Sequence, residues 1–271
     1  MDVLAAIVLG AVQGVTEFLP ISSDGHLALV YHLFRMKPDL TFEVFLHVAT
    51  LLAMVVYFRS DLLALARSVT SKRPKDAQER RTLVRIAGVT VVSAAVALAI
   101  SPVVQPASES IAWIGAGFLL TAALLAAGEG LSRMRPRAEP PASLGAAPVL
   151  LIGALQGIAP LPGVSRSGST IAAGMFAGLS RETAARFSFL CGIPIIALAA
   201  AKDGLDLLSG SASLPGLAPS IAGFAAAAIA GYAAIAGLLG LVKRHGLWVF
   251  AAYTGLLGAG MLVFAGFAQK G

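Results

Sequence analysis

The stretch DVLAAIVLGAVQGVTEFLPISSDGHLALVYHLF (2–34) decides how this chain folds. Its two ends are apolar enough for a bilayer, yet Gln13, Glu17, Pro20, Ser22, Ser23, Asp24 and His26 interrupt its middle. A single lipid-crossing helix tolerates such a centre badly. Charged groups at the midplane cost roughly 2.5–3.5 kcal/mol each on insertion scales, and irregular backbone persists at membrane depth only where protein shields it. Two short helices meeting at a broken tip resolve the conflict. The stretch AAPVLLIGALQGIAPLPGVSRSGSTIAAGMFAG (146–178) repeats the plan, broken by Pro160, Pro162 and a run of serines around Arg166. Both stretches are read as re-entrant helix hairpins.

The remaining sequence fits around them. Of 271 residues, 57% are hydrophobic and 13% charged, about half the charge of a soluble domain. Runs at 41–58, 82–101, 111–132, 183–201, 217–241 and 247–268 are each long enough for a helix across a bilayer. The alternation of a β-barrel is absent. The expected fold is therefore an all-α integral membrane protein of six transmembrane helices plus two re-entrant hairpins. The lone Cys191 excludes a disulfide within the chain. Met1-Asp2 gives no basic n-region, so a cleaved signal is not expected.

Charge orients the spans. Arg59, Arg67, Lys72, Arg73, Lys75, Arg80, Arg81 and Arg85 mark one connecting segment as cytoplasmic. Arg133, Arg135, Arg137, Arg181, Arg186, Lys243 and Arg244 then fall on the same side, whereas only Arg35, Lys37, Lys202 and Lys270 fall outside. The net charge of +6 is thus a topology signal, and no nucleic-acid partner is expected. Each half has one hairpin followed by three spans, so the second half is inverted relative to the first.

The halves also match in sequence. A shift of 143 residues lays LGAVQGV (9–15) over IGALQGI (152–158) and SSDG (22–25) over SRSG (165–168). The expected organisation is one membrane domain (1–271), with halves 1–132 and 146–271 joined by a linker at 133–145 and arranged as an inverted-topology repeat. GxxxG at 10–14 and 153–157 suits close helix packing, within the chain or in a homodimer.

The two tips hold the chemistry. Gln13 and Glu17, four apart, share a helix face. Ser22, Ser23 and Asp24 lead into a helix with His26 just beyond. Ser165, Arg166 and Ser167 open another, with Thr170 in its first turn. Free N–H groups at a helix start attract anions, and Arg adds bidentate phosphate binding. Two such tips face to face would cradle a diphosphate. Plainer roles compete: Ser22, Ser165 and Asp24 as helix caps, and Arg166 as a neutralising partner for Glu17 or Asp24. His32 and His47, on apolar stretches without evident partners, read as structural. Glu43 lines the site or bonds a neighbouring helix, and Glu129, near the inner end of its span, reads as interfacial.

At QGVTEFLPISSDGH (13–26) and PGVSRSGSTIAAG (162–174) the chain resembles the undecaprenyl-diphosphatase family, integral-membrane enzymes linked to bacitracin resistance. The hydrophobic plan agrees over essentially the whole length. The resemblance implies hydrolysis of undecaprenyl diphosphate to undecaprenyl phosphate and phosphate, which recycles the lipid carrier of cell-wall synthesis. It implies a bacterial inner-membrane location, a site facing the outer side, and Mg²⁺ or Ca²⁺ as cofactor. Gln13 stands where many members have Glu, and Asp24 where Thr is common.

On that footing Arg166 and the helix starts would clamp the diphosphate, with Gln13, Ser22, Ser165, Ser167 and Thr170 as substrate-binding residues. Glu17 would hold the cation, with Asp24 as a second candidate ligand. His26 would act as general acid and base. Ser23 is the expected nucleophile, with water the competitor. The substrate and membrane lipids are the expected partners. A polyprenyl-phosphate transporter is the rival function, since inverted repeats serve transport equally well; an ion channel fits the anion-binding residues less well.

Overall fold

The computed structural model describes residues 1–71, 73–134, 140–208 and 214–268, with backbone alone for 75, 202–208 and 268. Lys72, Arg135, Arg137, Lys270 and the centre of the 133–145 linker lie outside the described residues, as do the side chains of Lys75 and Lys202. Among the described residues the chain forms eleven α-helices and no strand. They are α1 (Val3–Phe18), α2 (Ser23–Leu33), α3 (Leu40–Tyr57), α4 (Arg59–Thr70), α5 (Ala77–Ser108) and α6 (Ile111–Met134). The second half adds α7 (Ala146–Gly157), α8 (Arg166–Phe176), α9 (Arg181–Leu208), α10 (Leu217–Arg244) and α11 (Trp248–Ala268).

Six helices, α3, α5, α6, α9, α10 and α11, are long and apolar enough to cross a membrane, and they coincide with the six expected spans. Two differences have local causes. α5 runs past Pro102, where the sequence expectation ends it; Ser101 Oγ donates to Leu98 O at 2.9 Å and so occupies the carbonyl that Pro102 cannot. α4 forms where only a basic segment is expected, burying Leu65 while its charged face stays out.

Each interrupted stretch forms a pair of short helices, α1 with α2 and α7 with α8. α1, the longest of the four, has 16 residues, about 24 Å at 1.5 Å per residue and short of a ~30 Å hydrocarbon core. The 143-residue correspondence recurs in the packing. Gly10 and Gly14 let α1 lie on α10, where a Cβ on either would strike the backbone at Gly223 or Ala227. Gly153 and Gly157 let α7 lie on α5, where a Cβ would come within 2.6 Å of Val92 and 2.5 Å of Val96. Both GxxxG faces are therefore taken up inside the chain.

The ends assigned to the cytoplasm by charge meet at one end of the bundle. Fully buried Glu129 on α6 accepts from Arg181 Nε at 3.0 Å and from the Leu247 backbone N–H at 3.1 Å. It thereby ties α9 and the start of α11 to α6. Arg186 pairs with Asp61 at 2.8 Å, and Lys243 with Glu182 at 3.0 Å.

Candidate active site

Pro20 ends α1. The residue before a proline is pushed out of helical space, and Leu19 is extended at φ −65°, ψ 142°. Ser22 follows at φ 69°, a region side chains seldom occupy. Its Oγ caps α2 by accepting from Gly25 N at 3.4 Å. In the second tip Ser165 Oγ caps α8 by accepting from Gly168 N at 3.0 Å, and Ser165 N donates to Thr121 Oγ1 of α6 at 2.9 Å. Gly163, at φ 82°, has no room for a Cβ against the Ile114 carbonyl, so α6 also fixes this tip.

The tips meet. Ser167 Oγ donates to Leu19 O at 3.1 Å, and Arg166 Nη2 donates to Glu17 Oε1 at 2.5 Å across 149 residues of sequence. Glu17 is the centre of the cluster. Its Oε2 accepts from Gln13 Nε2 at 3.1 Å and from Ser23 Oγ at 2.8 Å. His47, which shows no evident partner in the sequence, has two carboxylates beside it. Its Nε2 lies 3.5 Å from Glu17 Oε2 and 3.9 Å from Asp24 Oδ1, and its Nδ1–H donates to Glu43 O at 2.9 Å. Thus Gln13, Glu17, Ser23, Asp24, Arg166 and His47 converge.

Arg166 does neutralise Glu17, but that contact leaves part of its fork free. Nη1 is buried without a hydrogen-bond partner, as are Gln13 Oε1 and Ser169 Oγ. The guanidinium lies directly against the α9 backbone at Gly192, where a Cβ would stand 2.9 Å from Cζ. Buried polar atoms without partners are uncommon in native proteins, and here two of them flank a buried carboxylate. That pattern suits a polar ligand.

Other expected site residues sit apart. Thr170 Oγ1 is 2.5 Å from Ser188 Oγ and donates to Arg166 O at 2.8 Å, so this hydroxyl fixes α8 on α9. His26 makes no hydrogen bond to the Glu17 cluster among the described residues; its Nε2 is 2.7 Å from the Tyr253 hydroxyl. Beyond that pair an apolar groove of ≈ 560 Å³ runs between α2, the α5–α6 turn and α11, lined by Leu29, His32, Ile111, Leu257, Met261 and Phe264.

The resemblance implies a divalent cation. Among the described residues no three His, Cys, Asp or Glu side chains form a group that could hold one. The oxygens of Glu17, Asp24 and orphaned Gln13 Oε1 suit a hard cation in type. In number they fit one only if substrate phosphates complete its shell.

His47 has a sequence signal, though a weak one. Glu43, His47 and Thr50, spaced i, i+4 and i+7, form a polar stripe on an otherwise apolar helix. Tyr253 and Gly192 had none.

The family model described as bacitracin resistance protein BacA matches residues 6–260. The undecaprenyl-diphosphatase of Desulfosudis oleivorans is 40% identical, the match covering 95% of this chain and 97% of that protein. That of Trichlorobacter lovleyi is 40% identical, covering 98% of each. Undecaprenyl-diphosphatase 2 of Stutzerimonas stutzeri is 39% identical, covering 97% of this chain and 98% of its own.

Proposed function

The chain belongs to the bacitracin resistance protein BacA family, and from that premise we infer that it is an undecaprenyl-diphosphatase. It hydrolyses undecaprenyl diphosphate to undecaprenyl phosphate and inorganic phosphate. The observation that carries this reading is the junction of the two tips, where Glu17, Ser23 and Arg166 stand in one hydrogen-bonded chain.

The geometry supports the following course. Arg166, with its free Nη1 and the N–H groups at the α8 start, receives the terminal phosphate. Ser23 Oγ attacks the terminal phosphorus while its proton passes to Glu17 Oε2, the oxygen it already bonds. The bond from that phosphorus to the bridging oxygen breaks, and undecaprenyl phosphate leaves. Water then cleaves the phosphoserine, releasing phosphate and restoring the hydroxyl. His26, on the same helix as Ser23, would serve the proton at the leaving group once its Nε2 exchanges Tyr253 for substrate. A cation held by Glu17, Asp24 and the phosphates would supply further positive charge as the phosphoryl group transfers.

α1–α2 and α7–α8 are re-entrant hairpins of two inverted halves in the bacterial inner membrane, with the site open to the outer side. Positive charge gathered at the opposite end of the bundle supports that orientation. The groove beside His26 takes the first part of the prenyl chain, its volume being that of a small-ligand pocket, and lipid takes the remainder.

Purified in detergent, the protein is expected to release phosphate from a polyprenyl diphosphate and to lose that activity to a chelator. Detergent holds no gradient, so a lipid-phosphate transporter would release none. Gly192→Ala tests the Arg166 placement. Alanine favours helix over glycine by about 1 kcal/mol, and the atoms it strikes are the end of a flexible side chain. Melting temperature should hold while phosphate release falls about tenfold or more. Unchanged activity would show that Arg166 is not needed where it stands.

A further inference from the structure

Both ring nitrogens of His26 are occupied. Nδ1 lies 2.6 Å from the Ser22 carbonyl oxygen. A carbonyl only accepts, so Nδ1 carries a hydrogen. In the neutral ring Nε2 is then an acceptor, and the Tyr253 hydroxyl donates to it across 2.7 Å. The rest of the surroundings hold the ring in this pose. Tyr253 stacks on it at 14° with centroids 5.7 Å apart, and Phe118 stands edge-on at 87° and 5.5 Å. Ser22 presents its carbonyl from the strained backbone at φ 69°, strain of the kind that persists where surroundings enforce it.

Tyr253 comes from α11. About one turn further along, Leu256 and Leu257 begin the groove wall. The tyrosine thus stands where the polar tips give way to the apolar groove.

We propose that Tyr253 is a positioning residue for the hydrolysis: Ser22 sets the Nδ1–H tautomer of His26, and the Tyr253 hydroxyl holds the ring's orientation through Nε2, at the junction of tip and groove. The proposal rests on the assignment of His26 to proton handling. Ser22 fixes one nitrogen and Tyr253 the other, and neither alone sets the rotation of the ring.

Three variants test it, with wild type as reference: Tyr253→Phe, His26→Ala and the double variant. Tyr253→Phe keeps the stacked ring and removes only the hydroxyl. Its kcat should fall about tenfold or more with KM within about threefold. The double variant should be no slower than His26→Ala, since residues acting as one unit are not additive. Wild-type kcat in Tyr253→Phe, or losses that multiply in the double variant, would overturn the proposal. The second readout is independent of turnover. The chain has four histidines, so imidazole ¹⁵N resonances can be assigned by single substitutions. Tyr253→Phe should move the His26 Nε2 resonance and leave Nδ1 in place. If wild type releases no phosphate, the phosphatase reading fails, and this spectrum still decides the contact: an unmoved Nε2 rules it out.

Discussion

Arg166→Ala is expected to reduce phosphate release from a polyprenyl diphosphate by about 10³-fold or more, the scale on which arginines act in phosphoryl transfer. The guanidinium is where the second tip touches the first, through Nη2 on Glu17 Oε1, and its Nη1 is buried and unpaired. The variant has a second consequence. Glu17 is 7% exposed, and removing the partner of a buried charge costs about 3–5 kcal/mol. Loss of activity alone therefore does not distinguish chemistry from unfolding. Arg166→Lys does. A lysine keeps the positive charge beside Glu17 but lacks the planar fork that grips phosphate at two points. Its melting temperature should stay near wild type, and its activity should remain at least about tenfold down. A lysine variant as active as wild type would reduce Arg166 to a neutralising partner, the plainer role that the sequence also allowed.

The contrast between Arg166 and His47 shows what sequence reading reaches. The spans were legible because lipid imposes a length on apolar runs, and the two tips because Pro, Ser and ionisable residues cannot sit in the middle of a lipid-facing helix. Those constraints are local. Arg166 falls inside such a tip, so the sequence marks it as a candidate. His47 lies on an unbroken span, and its contact with Glu17 comes from how α3 packs beside α1, which no local pattern records. Its polar stripe with Glu43 and Thr50 is a cue, weak because a short stripe of polar residues is common where helices meet. Gly192 is one of 29 glycines, and only the guanidinium lying on it sets it apart. The extent of α5 is hidden for the opposite reason: Pro102 is a strong breaker, yet the helix runs past it, with Ser101 Oγ supplying the donor that the Leu98 carbonyl lacks.

Glu17→Gln should prove as damaging as the loss of Arg166, for a different reason. The amide is nearly the same size and can still accept from Arg166 through its oxygen. Its nitrogen would then face Gln13 Nε2 and Ser23 Oγ, which lie 3.1 and 2.8 Å from Glu17 Oε2. Gln13 can turn its unpartnered Oε1 to the new amide, so the loss falls on Ser23, which no longer faces the group that takes its proton. General-base removal costs about 10²–10⁴-fold, and phosphate release should fall within that range. The pairing with Ser23 gives the sharper test. If Glu17 works by activating Ser23, the double variant Glu17→Gln, Ser23→Ala should be no slower than Ser23→Ala alone, and label from a ³²P-diphosphate substrate should appear on serine in wild type after rapid quench. Losses that multiply, with no labelled serine, would make water the nucleophile and leave Glu17 to act on it. In that case the 2.8 Å contact between Ser23 and Glu17 would be a brace for the tip, and the junction would still be the place where phosphate is bound.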